Sequence, residues 1–228
     1  MAQEILIIGQ SGTGKSTSLR NLNPAETVII NPTKKNLPFK GFRTNYTVFS
    51  KENPTGNLFN IDNSTGVMQA LLHINDKMPH IKNVIIDDAN YLMAFEFINR
   101  AKEIGYNKFT DIGTGFSKVI TTGKDLRDDL NFIVMMHPEV DTDALGNKII
   151  KAKSIGKLVD QYLNIEGMFS MVLYTKVVKL PDNKGMDYVF VTQNDGSNTG
   201  KSPMGMFDTL EIPNDLSKVI QVIHQYNN

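Results

Sequence analysis

Residues 9–16 read GQSGTGKS and carry the chemistry around which the rest of the chain is arranged. The spacing is G-x-x-x-x-G-K-[ST], a loop whose glycines let the backbone N–H groups curl toward phosphate oxygens. An apolar run, Ile5-Leu6-Ile7-Ile8, precedes it as a buried strand, and STSLRNL follows as the start of a helix over 15–22. A helix N-terminus placed there adds positive potential at the phosphates. Gly9, Gln10, Ser11, Gly12, Thr13, Gly14, Lys15, Ser16 and Thr17 are the expected nucleotide contacts. Lys15 is long enough to reach β- and γ-phosphates, and the Ser16 hydroxyl can ligate Mg²⁺. The implied ligands are ATP and Mg²⁺. The four fixed positions would arise by chance in such a chain roughly one time in a hundred, so an ordinary glycine-rich turn is the poorer explanation. A dinucleotide fingerprint is poorer too, because GTGKST has no third glycine.

Two carboxylates answer the P-loop. Asn83-Val84-Ile85-Ile86 is an apolar run that ends in Asp87-Asp88. An acid at the end of such a strand can hold the water shell of a Mg²⁺ ion beside a triphosphate, which assigns Asp87 to the metal with Ser16. Asp88 stands where an acid can orient attacking water, and equally where it can cap the helix that follows. Phe132-Ile133-Val134-Met135-Met136 delivers His137, a polar group able to touch a γ-phosphate or simply to bond at a strand end. Lys201, in the loop GKSPMG, is either a solvated lysine or a finger toward a neighbouring copy's γ-phosphate. The candidate catalytic set is Lys15, Asp88, His137 and Lys201.

These residues need elements to hold them. Strands are expected over 4–8, 27–30, 83–86 and 132–136. Helices are expected after a Ser64 cap, with Val67, Met68, Leu71, Leu72 and Ile74 at helical spacing, over 89–104, over 115–128, and at the C-terminus on Leu216, Val219, Ile220 and Ile223. NKFTDIGTG and 51–63 read as loops. After Pro138 the pattern changes. Residues 139–154 form a hairpin or a mobile loop, a short helix is expected over 155–163, and 169–178 with 187–193 read as a second hairpin. Strands alternating with helices to about residue 137, then hairpins, predict an α/β fold: a mostly parallel sheet with helices on both faces and a C-terminal antiparallel extension. The expected organisation is one domain over 1–228, with a core over 1–140 and an extension over 141–228.

Composition sets the outer limits. The 228 residues include 24 Lys plus Arg and 24 Asp plus Glu, a formal net charge of zero. Nucleic-acid contact would therefore have to use a local patch. Two lysine-rich groups qualify, Lys34, Lys35, Lys40 and Arg43, and Lys148, Lys151, Lys153 and Lys157. Phe39, Phe42 and Tyr46 interleave with the first as a conceivable base-stacking platform. The absence of cysteine excludes disulfides and thiol catalysis. No signal peptide or membrane-spanning run is evident, so a cytoplasmic protein is expected.

The order of parts resembles the RecA-like branch of P-loop ATPases. Within that branch it is similar to compact ATP-binding proteins of tailed phages, relatives of their RecA-like single-strand annealing recombinases. The resemblance rests on GQSGTGKST at 9–17, VIINPTKKNLPFKG at 28–41, NVIIDD at 83–88, FTDIGTGF at 109–116, FIVMMHPE at 132–139 and GKSPMG at 200–205. It implies a RecA-type core in which the P-loop and Asp87 strands flank the His137 strand. It further implies Mg-ATP, ring or filament assembly, and action on single-stranded DNA in recombination or replication. The chain departs from the family at two places. Thr33 stands about where a catalytic glutamate is expected, and the finger loop has Lys201-Ser202-Pro203 in place of Lys-x-Arg. Two other functions fit the same motifs: an assembly or packaging factor that binds ATP and barely hydrolyses it, and a small-molecule or nucleotide kinase. None of the four arginines, Arg20, Arg43, Arg100 and Arg127, lies in the late loops where a kinase lid is expected.

Overall fold

The computed structural model describes residues 1–105, 107–142, 146–154, 163–181 and 184–227. Its strands are β1 (Gln3–Ile8), β2 (Thr27–Ile30), β3 (Leu58–Phe59), β4 (Asn83–Ile86), β5 (Asn131–Met136), β6 (Pro138–Thr142), β7 (Lys148–Ala152), β8 (Met171–Lys179), β9 (Met186–Val191) and β10 (Glu211–Pro213). Its helices are α1 (Phe42–Asn45), α2 (Ser64–Lys77), α3 (Asn90–Asn99), α4 (Asn107–Thr121) and α5 (Leu216–Asn227). One eight-stranded sheet runs in the order β10-β9-β8-β1-β5-β4-β2-β3. From β8 to β3 neighbouring strands are parallel, and β9 and β10 add antiparallel pairs at one edge. β6 and β7 form a separate antiparallel hairpin. The fold is thus the expected α/β architecture, a mostly parallel sheet with helices on both faces and an antiparallel extension, with β1 and β4 on either side of β5.

The apolar runs become central strands because both faces of the sheet are covered. Side chains alternate across it. Leu6, Ile8, Val84, Ile86, Val134 and Met136 enter one core with α2, α3 and α4. Ile5, Ile7, Ile85, Ile133 and Met135 enter the other with Leu19, α1 and α5. Full burial of each such side chain contributes about 1.5–3 kcal/mol, which is why these runs dominate the layering.

Several local expectations change. The segment after the P-loop forms a short 3₁₀ turn, Ser16–Asn21, in place of a longer helix. β-branched and hydroxyl residues weaken the helix there, and Pro24 begins the next turn two residues after Leu22. Asn63, not Ser64, caps α2, its side chain accepting from the Gly66 N–H at 2.8 Å. NKFTDIGTG is helical and not a loop. Burial of Ile112, Phe116, Val119 and Ile120 outweighs the roughly 1 kcal/mol that each helical glycine costs. α3 ends at Asn99, leaving Leu92 buried and Ile98 62% exposed, so its apolar spacing does not mark a single buried face. Of the segment expected to be a hairpin or mobile loop, β6 and β7 pair antiparallel, from Pro138 with Ala152 to Thr142 with Lys148. The helix expected over 155–163 lies, apart from Leu163, outside the described residues, as does Lys157. No helix among the described residues is long and apolar enough to cross a membrane.

Candidate functional site

The parallel strands point their C-terminal ends the same way, and the candidate residues gather there. Gly9 N–H bonds the Met136 carbonyl at 3.1 Å, Ala89 N–H bonds the Met135 carbonyl at 2.8 Å, and Asp87 N–H bonds the Ile30 carbonyl at 2.9 Å. These bonds stitch the P-loop, the acid pair, the β5 end and the loop after β2 into one rim. Ligands of open α/β sheets bind at such carboxyl-end crevices. A cavity of about 590 Å³ opens at that rim. Gln10, Ser11, Gly12, Gly14, Lys15, Ser16 and Thr17 form its P-loop wall, and Asp88, His137, Lys35 and Tyr188 line it from other strands.

Two glycines are dictated by packing. A Cβ on Gly9 would lie 1.7 Å from Thr175 Oγ1 of β8 and 2.7 Å from Thr13 Oγ1. The P-loop therefore sits directly on β8, pinned by the Thr13–Thr175 hydroxyl contact of 2.5 Å. Gly14 has φ +101° and lies against Asn214, whose buried side-chain amide has no hydrogen-bond partner among the described residues. Thr13 thus turns toward β8 and its own loop, while its neighbours face the cavity.

Lys15 is buried. Its Nζ donates to the Gly9 carbonyl at 2.7 Å and lies 3.7 Å from Asp88 Oδ1. Burial lowers its pKa, with the charges of Asp88 and Asp87 opposing that shift. Ser16 Oγ donates to both oxygens of Asp87, at 2.9 and 3.1 Å. Asp87 is fully buried, and burial together with the adjacent Asp88 charge pushes its carboxyl up to about 6. This hydroxyl–carboxylate pair fits Mg²⁺, which favours a few protein oxygens completed by water and phosphate. Among the described residues no cluster of three His, Asp or Glu side chains is arranged to hold a metal on its own.

Asp88 is not a helix cap. Ala89 occupies the N-cap position of α3, and no side chain caps there. Asp88 has φ +61°, a left-handed conformation that costs on the order of 1 kcal/mol or more in a non-glycine residue. That backbone carries its carboxylate into the cavity, where it meets Lys15, Lys35 and His137 Nε2, the last at 3.3 Å. Burial alone would raise the Asp88 carboxyl. The contacts with His137, Lys35 and Lys15 outweigh it and hold the group well below the usual carboxylate range.

His137 is fixed from two sides. Its backbone N–H donates to Asn90 Oδ1 at 2.6 Å, and the Tyr91 ring stands edge-on at 6.0 Å from the imidazole. Lys201 is elsewhere. Its backbone pairs with Val172, which lies near the start of β8 in register with Leu6 in mid-β1, and it does not line this cavity.

Residues 1–204 match the AAA domain family. The chain belongs to that family. No curated protein matches it by sequence. Among solved structures it is similar to a KaiC-like protein of Pyrococcus horikoshii OT3, with 13% identity, 83% of this chain and 77% of that one covered, and a TM-score of 0.45. It is also similar to the flagellar accessory protein FlaH of Methanocaldococcus jannaschii, with 14% identity, 82% and 76% coverage, and a TM-score of 0.42.

In this AAA-domain chain the residues that sequence reasoning missed arrive from distant segments. Lys35 comes from the loop after β2 and bonds Asp88, but its only sequence signal was membership of a basic run. Elsewhere in that run Lys40 and Arg43 are exposed. Lys34 pairs with Asp62 at 2.7 Å. Phe42 and Tyr46 are buried and stack on each other at 5.8 Å within the core, so they offer no platform for bases. Tyr188, on β9, lines the cavity, and its carbonyl accepts from the N–H of Asn214, the residue packed on Gly14. Nothing local in its sequence marks it.

Proposed function

We propose that this AAA-domain protein binds Mg-ATP, hydrolyses it, and uses the cycle to act on single-stranded DNA as a ring or filament of copies. The observation that carries the ATPase reading is the convergence of Lys15, Ser16 and Asp88 on one cavity, with Ser16 bonded to the buried Asp87 behind it. Ser16 directly, and Asp87 through water, would hold Mg²⁺, which supplies charge neutralisation across the β- and γ-phosphates. The P-loop N–H groups hold the phosphates, and Lys15 leaves the Gly9 carbonyl to reach them. Asp88, kept ionised by its cationic neighbours, accepts a hydrogen bond from attacking water and orients it. His137 holds Asp88 in place from the neighbouring strand. Tyr188 offers an aromatic face on the Gly14 side, suited to the nucleotide base.

The DNA role is supported by the sequence resemblance to phage recombinases and by lysines on the β6–β7 hairpin, of which Lys148 is exposed. Lys201 contributes only if a neighbouring copy brings it to this cavity. An ATP-gated assembly factor with little turnover is the second reading. It is favoured by the loop after β2, which presents Thr33, bonded to Asn31, and Lys35 in place of a carboxylate.

Phosphate release from Mg-ATP by wild type, Lys15→Ala and Asp88→Asn, with and without single-stranded DNA, separates the two. Turnover that DNA accelerates and that both substitutions abolish supports the DNA-directed ATPase. Tight ATP binding with background turnover, indifferent to DNA, points to the assembly factor.

A further inference from the structure

Two adjacent buried carboxylates call for a cation beside them, and a half-exposed lysine faces both. Lys35 Nζ bonds Asp88 Oδ2 and lies 4.0 Å from Asp87 Oδ2. Its side chain is 43% exposed, whereas Asp87 and Asp88 are 0% and 3% exposed. The head group is therefore lowered into the acid pair from solvent on a long, mobile stem. The backbone that carries it is fixed. Asn31 Nδ2 donates to the Lys35 carbonyl at 2.8 Å, the Lys34 N–H bonds the Asn31 carbonyl at 3.2 Å, and Lys34 adopts φ +55°. The loop thus behaves as a rigid mount for one movable charge on the wall of the phosphate cavity.

We propose that Lys35 is a tethered counter-ion that neutralises Asp87 and Asp88 in the nucleotide-free chain and moves onto the terminal phosphate of ATP when a divalent cation takes its place. The exchange follows from charge. A divalent cation bound at Ser16 and Asp87 repels an ammonium within about 4 Å, while the triphosphate brings new negative charge into the same cavity. Lys35 then contacts the γ-phosphate from within its own chain, where the loop lacks a carboxylate and Lys201 is remote. Because ADP lacks that phosphate, Lys35 would distinguish ATP from ADP. This rests on the nucleotide-binding reading given above.

The test uses the full chain and three variants: Lys35→Gln, Lys34→Gln as a neighbouring control, and Lys15→Ala. Fluorescent ATP and ADP analogues are titrated with Mg²⁺ present, and melting temperature is followed against Mg²⁺ without nucleotide. Lys35→Gln is expected to weaken ATP binding about tenfold while changing ADP binding less than about twofold, the size expected when one charge-assisted hydrogen bond is removed. Without nucleotide, Mg²⁺ should raise the melting temperature of Lys35→Gln more than that of wild type, since the ion no longer competes with the lysine. Lys34→Gln should match wild type in both. Equal loss of ATP and ADP affinity in Lys35→Gln, or an Mg²⁺ response no larger than wild type, overturns the proposal while nucleotide binding stands. If wild type binds neither nucleotide any better than Lys15→Ala, the nucleotide-binding reading itself fails and this proposal falls with it.

Discussion

Asp87 and Asp88 are adjacent in sequence, buried together, and pushed in opposite directions by their surroundings. Asp87 has Ser16 as its bonded partner, and burial raises its pKa. Asp88 has two lysines and a histidine, and its pKa falls. Separated titration of paired carboxylates is the usual mark of divided roles, one group reserved for a cation and the other for proton or water contacts. The arrangement has a stability cost in the absence of metal. An acid whose folded pKa exceeds its unfolded value makes the fold lose stability as pH rises from the unfolded value near 3.8 through about 6. Asp87→Asn removes that loss. The variant should melt several degrees above wild type at pH 7 without nucleotide, and the gap should shrink as pH is lowered toward 4. The same variant should lose stabilisation by Mg-ATP. Melting curves across this pH range check both, and a variant that melts lower than wild type at pH 7 would show that the Ser16–Asp87 bonds outweigh the burial cost.

At the scale of elements, the site depends on how the P-loop seats on β8, a strand more than 150 residues later in sequence. Gly9 allows this because Thr175 occupies the space a side chain would need. Gly9→Ala should cost on the order of 2–3 kcal/mol by overpacking and should abolish nucleotide binding, because the loop must lift off the sheet. Thr175→Ala should be mild alone. Combined with Gly9→Ala it should recover part of the lost stability, a coupling that a double-mutant cycle of melting temperatures measures directly. Additive losses would mean that Thr13 is the main obstacle. This close approach also marks where sequence reading stops. The P-loop, β2, β4 and β5 were legible because buried parallel strands print as short apolar runs and the motif residues follow them locally. Asp87 and Asp88 were legible for the same reason, although only the backbone at φ +61° decides that Asp88 faces the cavity and does not cap α3. Thr175, Lys35 and Tyr188 reach the site through strand order, which no local pattern contains. The start of α4 was hidden by its glycines, whose helical cost is outweighed only by packing on α2 and α3.

Across the whole molecule, charge is balanced, yet its placement is uneven. At the P-loop rim Lys15 and Lys35 face Asp88, and in the first basic run Lys34 pairs with Asp62 while Lys40 and Arg43 are exposed. The β6–β7 hairpin forms a sheet of its own, tied to β8 by Tyr174 Oη donating to the Ile150 carbonyl at 2.9 Å, and within it Lys151 pairs with Glu139 and Asp141. Lys148 is exposed and Lys153 lies next to the strand end that carries His137. If single-stranded DNA lies along this hairpin, its phosphates meet these two lysines, and a strand held there is one backbone bond from the nucleotide site, through the Lys153 N–H to the His137 carbonyl at 2.8 Å. Neutralising Lys148 and Lys153 to alanine should weaken binding to any strand sequence alike. It should also flatten the dependence of log affinity on log salt by about 1.4, roughly 0.7 for each single-strand phosphate that a lysine no longer neutralises. Lys15→Ala, which leaves the hairpin untouched, should keep the wild-type slope. Affinity measured by fluorescence anisotropy between about 50 and 200 mM salt makes the comparison. An unchanged slope in the double variant would remove the hairpin as the DNA surface and return attention to surfaces formed only between copies of the chain.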